Sequence, residues 1–227
     1  MKRRFIALAL LFAGMAIFAQ NINIESEVRM LALGDSYTIG ESVQTSQRWP
    51  HQLMAALVEL GREAEDPDYI ATTGWTTTQL IQGIDMYLDR DKKYNLVSIL
   101  IGVNNQYQGL DISSYEPELK KIINLALDVV HQDASRVFIL SIPDYAFTPF
   151  GAGKSSISEE LDAYNAINKR LASEYDIAYI DITPISRNGL KDPSLVAIDG
   201  LHPSADQYKQ WIGKILTSLE LRETTDP

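Results

Sequence analysis

Three residues stand out because their types and positions suit nucleophilic chemistry: Ser36, Asp199 and His202. Ser36 follows the apolar run 31–33 and a glycine, so it is predicted to lie where a buried strand gives way to a loop. His202 stands three residues after Asp199 and directly before a proline. A serine hydroxyl attacks only when a base removes its proton, and histidine suits this task because its pKa lies near neutrality. An aspartate beside the histidine would hold the imidazole in its working tautomer.

The chain has two other histidines, His51 and His131, and both are predicted to lie on helices. His131 stands at a helix end, where a cation suits the helix dipole. We expect both side chains to be solvated, which leaves His202 as the candidate base. The alternative for the segment 199–203 is a plain turn followed by a helix that Pro203 opens. The presence of Ser36 elsewhere in the chain favours catalysis over that alternative.

Two further residues, Gly74 and Asn104, each follow a predicted strand, as Ser36 does. The carboxyl ends of parallel strands meet at one edge of a sheet, so we expect these residues to converge on one crevice. Gly74 has no Cβ, which lets a ligand approach its N–H closely, and Asn104 donates through its amide nitrogen. Asp35, beside Ser36, is interpreted as a turn acid that holds nearby backbone N–H groups.

Strands and helices alternate along the chain beyond residue 20. Strands are predicted at 28–33, 69–73, 96–101, 137–142 and 177–182. Helices are predicted at 49–60, 76–88, 116–130, 158–175, with Ser158 as a cap, and 203–221. This alternation indicates right-handed βαβ units, so we predict a three-layer α/β/α fold with a doubly wound, flavodoxin-like, five-stranded parallel sheet. The connections 144–157 and 184–198 are predicted to be loops near the site.

Composition excludes several classes of protein. The 227 residues are enough for one well-buried domain, and 45% apolar and 22% charged residues are typical of a soluble globule. A net charge of −10 argues against nucleic acid as a partner, because binding it relies on a basic surface. The chain has no cysteine, which excludes disulfides and thiolate metal sites.

The first 19 residues resemble a secretory signal peptide. A basic start at residues 2–4 precedes an uncharged apolar run over residues 5–19. The run is shorter than the roughly 20 apolar residues that cross a bilayer comfortably, so we predict cleavage after Ala19 and no stable membrane insertion afterwards. The alternative is an uncleaved membrane anchor. The predicted location is the periplasm or the extracellular space, with one domain over residues 20–227.

Four short blocks, in order along the chain, resemble the motifs of the SGNH (GDSL) family of serine esterases and lipases. They are Gly34-Asp35-Ser36-Tyr37, Thr73-Gly74-Trp75, Gly102-Val103-Asn104-Asn105 and Asp199-Gly200-Leu201-His202-Pro203. Two positions depart from the usual family pattern: Tyr37 stands where leucine is common, and Asn105 where aspartate is common. We expect Asn105 to hold its loop differently, and Tyr37 to pack under the first helix.

The resemblance implies the SGNH hydrolase fold and a serine esterase mechanism. Ser36 would be the nucleophile, His202 the base and Asp199 the residue that orients it. The oxyanion hole would be formed by the N–H groups of Ser36 and Gly74 and the side-chain amide of Asn104. Such an enzyme needs no metal and no organic cofactor.

The substrate is expected to be a small-molecule ester with a short acyl or O-acetyl group. Aromatic residues on predicted site-side segments are candidates to contact it: Tyr37, Trp75, Tyr107, Tyr145, Phe147 and Phe150. The alternatives are a lysophospholipase or thioesterase of the same family, or a flavodoxin-like binding module without catalysis. A phosphoryl-transfer or metal-dependent hydrolase is disfavoured, because the sequence has neither a Gly-rich phosphate loop nor a His/Asp cluster.

Overall fold

The computed structural model describes residues 20–222, so the predicted signal peptide lies outside the described residues. The strands are, in chain order, β1 (Ile22–Ile24), β2 (Glu27–Val28), β3 (Met30–Gly34), β4 (Glu63–Ala64), β5 (Asp68–Ala71), β6 (Leu96–Leu100), β7 (Val137–Leu140), β8 (Ala178–Ile180) and β9 (Leu219–Leu221). The helices are α1 (Ser36–Ile39), α2 (Trp49–Glu59), α3 (Thr77–Tyr87), α4 (Val103–Tyr107), α5 (Ile112–Val129), α6 (Ser155–Glu174), α7 (Thr183–Ser186) and α8 (Ala205–Leu216).

The central sheet has five parallel strands in the order β5-β3-β6-β7-β8. β3 lies in register with β6 from Met30 opposite Leu96 to Gly34 opposite Leu100. The chain passes from β3 outward to β5, crosses back over β3 to β6, and continues outward through β7 to β8. The direction of winding therefore reverses between β3 and β6, which confirms the predicted doubly wound, flavodoxin-like architecture.

Helices cover both faces of this sheet. Right-handed crossovers place α2 on one face and α3, α5 and α6 on the other, because the first crossover runs in the opposite direction to the later ones. In agreement, α2 packs against α8, whereas α3 packs against α5 and α5 against α6. Over the described range 20–222, none of the helices combines the length and the apolar character needed to cross a membrane.

The core fills the space between the sheet and its two helix layers. All five residues of β6 are buried, as expected for a strand that is covered on both faces. Towards α2 and α8, Trp49 and Trp211 are wholly buried, and the Trp49 ring meets Phe138 of β7 edge-on at 6.2 Å. Burying a large apolar side chain contributes roughly 1.5–3 kcal/mol to folding. These contacts fix α8, and with it the loop that carries Asp199 and His202, against the sheet.

Where β7 and β8 end, buried polar side chains form hydrogen bonds with the backbone in place of the strand-to-strand hydrogen bonds. The Ser141 hydroxyl oxygen accepts the N–H groups of Ile182 and Thr183 at 2.8 and 2.9 Å. The Asn165 side chain of α6 accepts the Ile142 N–H at 2.7 Å and donates to the Ile142 carbonyl at 3.1 Å. A buried backbone N–H or carbonyl group without a hydrogen-bond partner would cost free energy. These side chains provide the partners where the chain leaves the sheet. Both strands consequently end two residues earlier than predicted.

The last helix departs from the prediction at both ends. We expected Pro203 to open it, but α8 begins at Ala205, because Ser204 caps it by accepting the Gln207 N–H at 3.2 Å. Pro203 instead forms an isolated antiparallel bridge with Val196, which closes the preceding loop. The helix ends at residue 216 rather than 221, because the chain then forms β9, which pairs with β1.

Two other helices begin earlier than predicted. α5 begins at Ile112, where Asp111 caps it by accepting the Ser113 N–H at 2.9 Å, and Pro117 lies inside the helix rather than at its start. α6 begins at residue 155, so Ser158, which we predicted to cap it, lies within its first turns. The predicted loop 144–157 therefore ends earlier than expected, because α6 begins before residue 157.

Gly102, between β6 and α4, is required by its surroundings. Its backbone φ is 124°, a conformation that residues with a Cβ rarely adopt. A Cβ at this position would lie 2.7 Å from the Tyr115 hydroxyl oxygen and 2.8 Å from Ile142 Cδ1. The Tyr115 hydroxyl itself lies 2.7 Å from Asn168 Oδ1, so the ring has little freedom to move away. Gly102 thus allows the turn that leads to Asn104.

We predict that Gly102→Ala lowers the free energy of unfolding by about 2–4 kcal/mol, through backbone strain and overpacking. Urea denaturation of the purified proteins measures this change. The matched control is Gly213→Ala in α8, where no heavy atom lies within 4 Å of the added Cβ. This control should raise stability by about 0.5–1 kcal/mol, because alanine favours a helix interior more than glycine does. Equal effects of the two substitutions would contradict the assignment.

Candidate active site

The side chains of Ser36, His202 and Asp199 form one continuous chain of hydrogen bonds. His202 Nε2 lies 3.0 Å from Ser36 Oγ, and His202 Nδ1 lies 2.6 Å from Asp199 Oδ2. Ser36 begins α1 directly beyond β3, whereas Asp199 and His202 lie in the loop before α8. The fold therefore brings together a serine and a histidine that are 166 positions apart in the sequence.

The charge of Asp199 determines which nitrogen of His202 carries the hydrogen. Burial raises the pKa of the Asp199 carboxyl, but hydrogen bonds from the Ser42 hydroxyl, from the His202 side chain and from backbone N–H groups outweigh it and hold the pKa well below its usual range. An ionised carboxylate only accepts hydrogen bonds, so Nδ1 carries the hydrogen and Nε2 is left to accept the Ser36 O–H. A general base needs this arrangement.

The backbone around Asp199 orients its carboxylate. Asp199 Oδ1 accepts the N–H groups of Leu201 and His202 at 2.9 and 3.0 Å. Gly200 lies between them with a φ of 73°, which glycine adopts without a steric penalty. The His202 carbonyl accepts the Ala197 N–H at 2.8 Å. The loop thus fixes the side chain of Asp199 and the backbone of His202 before α8 begins.

The short helix α1 presents Ser36 and is held from two sides. Asp35 accepts the Tyr37 N–H at 3.0 Å and caps α1, which confirms its interpretation as a turn acid. Tyr37 is buried, and its ring meets the His202 imidazole edge-on at 5.7 Å. The Tyr37 carbonyl accepts the Tyr208 hydroxyl of α8 at 3.1 Å. Tyr37 therefore supports the histidine as well as lining the space beside Ser36.

The residues predicted to form the oxyanion hole line one cleft. Over residues 20–222, the N–H groups of Ser36 and Gly74 have no acceptor in the protein, so both are available to a ligand. Asn104 Nδ2 donates to the Trp75 carbonyl at 3.0 Å and lies 3.4 Å from Asp35 Oδ2. The contact with Asp35 is long and therefore weak, so the Asn104 hydrogen that faces it is the one that a ligand oxygen could capture.

The cleft beside Ser36 has a volume of about 220 Å³ and mostly apolar walls. One wall is aromatic: Tyr107, Tyr145 and Phe150 have ring centroids 6.0–6.3 Å apart. Tyr107 and Phe150 are at least half exposed at the mouth, whereas Tyr145 is buried. The lining therefore suits an uncharged group of limited size.

Tyr145 is held rigidly by two sets of polar contacts. Its hydroxyl donates to Gln106 Oε1 at 2.9 Å, and Gln106 in turn donates to Glu160 at 2.6 Å. The turn that carries Tyr145 begins at Asp144, a wholly buried carboxylate that pairs with Arg187 at 2.9 Å. Because both ends of the side chain are fixed, Tyr145 forms a rigid part of the cleft wall.

Not every predicted contact residue reaches the cleft. Tyr37, Tyr107 and Tyr145 line it, whereas the side chain of Trp75 does not. The Trp75 ring packs on α3 at Gly83, where an added Cβ would lie 2.4 Å from a ring atom. Trp75 contributes to the site only through its carbonyl, which accepts from Asn104.

Asn105 holds its loop through two hydrogen bonds, one of which a carboxylate could not make. It is buried, accepts the Thr77 N–H at 3.1 Å and donates to the Thr77 hydroxyl oxygen at 2.7 Å. Because the Thr77 hydroxyl accepts from Asn105, its own hydrogen is free to donate to Glu118 of α5. An aspartate would not supply the amide donor. Asn105 therefore ties the loop after β6 to the start of α3.

The other two histidines lie outside the cleft. His51 is half-buried and its Nδ1 lies 2.7 Å from the Tyr69 hydroxyl, so the expectation that it is solvated is wrong. His131 is exposed beyond the end of α5, as expected. In the part of the chain that the structure describes, no three histidine, aspartate or glutamate side chains are grouped as metal ligands.

The sequence analysis missed four residues of the site. Thr73, Val103 and Leu201 line the cleft, and each is adjacent in sequence to a predicted site residue, which was a usable signal. Ser42 donates from its hydroxyl to Asp199 Oδ2 at 2.6 Å. Ser42 belongs to none of the four motif blocks, and no pattern in the sequence marks it.

The GDSL-like lipase/acylhydrolase family matches the chain over residues 32–210. The chain belongs to this family, as its motifs indicated, and it is a carboxylic ester hydrolase. No curated protein matches the chain in sequence.

Several solved structures share the fold. TesA is 19% identical, with a TM-score of 0.67 over 85% of this chain and 98% of its own. Axe2, an acetylxylan esterase from Geobacillus stearothermophilus, is 20% identical, with a TM-score of 0.64 over 87% of this chain and 95% of its own. A member of the lipolytic G-D-S-L family from Veillonella parvula is 19% identical, with a TM-score of 0.64 over 84% of this chain and 97% of its own. At these identities the likeness concerns the fold.

The pKa of the buried Asp35 carboxyl, beside Ser36, departs from its usual value. Complete burial raises its pKa to about 7, although the hydrogen bond from the Tyr37 N–H opposes the shift. In an unfolded chain an aspartate has a pKa near 4, so folding takes up a proton between about pH 4 and pH 7. The contribution of Asp35 to stability is therefore largest below pH 4 and is lost as the pH rises through 7.

We predict that Asp35→Asn flattens this part of the stability profile. Wild type should lose up to about 1.4 kcal/mol of unfolding free energy per pH unit between about pH 4 and 7, relative to the variant, and nothing further above that range. Urea denaturation of both proteins from pH 4 to pH 9 measures the difference. Parallel curves over the whole range would mean that Asp35 titrates normally in the folded protein.

Proposed function

We propose that the protein is an exported serine esterase that hydrolyses small esters through Ser36, His202 and Asp199. The observation that carries the proposal is the hydrogen-bond chain from Ser36 Oγ through His202 to Asp199, which opens into a cleft with unpartnered N–H groups. The three side chains supply a nucleophile, a base and an orienting carboxylate in the geometry that acyl transfer requires.

In the proposed mechanism, Ser36 Oγ attacks the ester carbonyl carbon while His202 Nε2 takes the hydroxyl proton. The imidazolium that forms is stabilised by Asp199, which lies 2.6 Å from Nδ1. His202 then gives the proton to the leaving alcohol, and an acyl-enzyme remains on Ser36. Water repeats the sequence, with His202 again as base, and frees the acid.

Negative charge on the carbonyl oxygen would be stabilised by the N–H groups of Ser36 and Gly74 and by Asn104. Donors that are in place before the reaction cost no reorganisation when the charge develops. The Asn104 amide needs only a small adjustment, because its 3.4 Å contact with Asp35 is weak. No step of this mechanism calls for a metal or an organic cofactor.

The size and lining of the cleft favour a short acyl group. A volume of about 220 Å³ leaves room for acetyl or a few more carbons, and the lining includes no carboxylate, lysine or arginine. Tyr107 and Phe150 at the mouth suit a leaving group with a flat apolar face, such as a sugar ring. The similarity in fold to an acetylxylan esterase supports O-acetylated carbohydrates as substrates.

A lysophospholipase or thioesterase is the second candidate. Tyr107 and Phe150 form exposed apolar surface at the mouth, and Ile198, which directly precedes Asp199, is 99% exposed. Such a surface could carry part of a longer acyl chain outside the cleft. Export through the segment 1–19, to the periplasm or the extracellular space, is part of the proposal and rests on the sequence of that segment.

We predict that Ser36→Ala lowers kcat/KM for p-nitrophenyl acetate by at least about a thousandfold, because the nucleophile is lost. The matched control is Ser173→Ala on the exposed side of α6, which should retain full activity and the same Tm. A serine-directed phosphonate should label wild type but not Ser36→Ala. Turnover that survives in the purified variant would defeat the assignment.

We predict that Tyr145→Ala moves the chain-length preference from acetate towards octanoate, because it removes a rigid part of the cleft wall and so enlarges the cleft. The ratio of kcat/KM for the octanoate ester to that for the acetate ester should rise about tenfold or more. The enlarged cleft can bury several methylene groups of the longer acyl chain, and each contributes to binding. Tyr145→Phe loses only the bond to Gln106 and should keep the preference of wild type. Tyr87→Ala, at the exposed end of α3, is the control. An unchanged ratio in Tyr145→Ala would place the acyl group elsewhere.

A further inference from the structure

Ser42 holds a backbone conformation that serine does not favour. Its φ is 66°, in the left-handed region, and among residues 20–222 only five residues other than glycine have a positive φ. Such a conformation costs of order 1 kcal/mol and persists where other contacts enforce it. Glycine would adopt the same conformation without a steric penalty. A serine at position 42 is therefore not explained by the backbone alone.

The side chain of Ser42 provides the explanation. Its hydroxyl donates to Asp199 Oδ2 at 2.6 Å, the same oxygen that lies 2.6 Å from His202 Nδ1. The other oxygen, Oδ1, accepts the N–H groups of Leu201 and His202. In the described part of the chain, Ser42 is the one donor to Asp199 that comes from outside the loop 199–202.

The residue before Ser42 makes a second connection from the same turn. Glu41 accepts the Thr73 hydroxyl at 2.5 Å, and Thr73 precedes Gly74. Two adjacent residues thus reach the loop of the orienting carboxylate and the loop of an oxyanion donor. The turn is attached to α1, which carries Ser36, because the Glu41 N–H donates to the Ser36 carbonyl at 3.0 Å.

We propose that Ser42 is a positioning residue for catalysis, which fixes the Asp199 carboxylate relative to the segment that carries Ser36. This inference rests on the proposed function of Ser36, His202 and Asp199. Ser42 touches neither substrate nor the reacting atoms. It acts through Asp199, by sharing Oδ2 with the imidazole and so limiting both the rotation of the carboxylate and the charge that His202 experiences.

Removal of the Ser42 hydroxyl therefore has a defined electrostatic sign. With one donor fewer on Oδ2, more of the carboxylate charge acts on His202, and the imidazolium is favoured over neutral imidazole. Tyr37 and Tyr208 also surround the pair, but burial raises the pKa of each well above its usual value and keeps both neutral. Asp35 titrates nearby, with a pKa of about 7, but forms no hydrogen bond with Ser42.

The test compares Ser42→Ala and Ser42→Gly with wild type. The first keeps a Cβ in the left-handed conformation, whereas the second removes both the hydroxyl and the strain. The matched control is Ser46→Ala, an exposed serine in the same connection, which should behave as wild type. The primary measurement is the NMR titration of the three imidazole rings, with His51→Gln and His131→Gln used to assign the His202 signals.

In both Ser42 variants, the titration midpoint of His202 should move to higher pH by a few tenths of a unit, the scale of one partly solvated hydrogen bond. The acidic limb of kcat/KM should move in the same direction, and kcat/KM at pH 7 should fall about threefold to tenfold. Ser42→Gly should show the same shift as Ser42→Ala with a higher Tm.

Two outcomes would overturn the proposal. One is an unchanged His202 titration in both variants. The other is a loss of activity in Ser42→Ala that accompanies a loss of Tm, with both activity and Tm restored in Ser42→Gly. That result would indicate that Ser42 has only a structural role. The titration needs no turnover, so its result is separate from that of Ser36→Ala. Full activity in Ser36→Ala would overturn the proposed function itself.

Discussion

The parallel pairing of β3 with β6 is the constraint on which the site depends. It places Gly34 opposite Leu100, so the chain leaves both strands at the same edge of the sheet and at the point where the winding reverses. Ser36 follows one strand and Asn104 the other, and their side chains share a cleft for that reason. The loop with Asp199 and His202 reaches the same cleft because it leads directly into α8. That helix packs against α2, and its Tyr208 hydroxyl donates to the Tyr37 carbonyl of α1.

The sheet and the main site residues could be predicted because both follow from short-range patterns. Strands that are buried on both faces appear as continuous apolar runs, and β6 is such a run. Residues that come directly after parallel strands must converge, whatever the loops do in detail. Ser36, Gly74 and Asn104 were therefore placed correctly in one cleft from sequence alone.

The details that the sequence did not reveal depend on contacts between distant segments. Trp75 stands beside Gly74, but its ring turns to the space that Gly83 leaves open, whereas Tyr107 turns to the cleft. The role of Ser42 depends on a carboxylate that is 157 positions away. The direction of a side chain in a loop depends on the distant residues that it contacts. Neither apolar periodicity nor helix-capping patterns in the sequence predict these contacts. The ends of β7 and β8 were also misplaced because buried side chains, rather than the ladder, satisfy the backbone there.

The small pair formed by β1 and β9 has a bearing on how the chain matures. Ile22 and Ile24 of β1 are almost completely buried, yet their strand partners Leu219 and Leu221 come from the far end of the described chain. During synthesis these two isoleucines are made long before their partners. This pairing closes the longest loop of the fold, and contacts of such sequence separation form slowly. The region just behind the predicted signal peptide therefore stays without its strand partner until residues 219–221 have been synthesised.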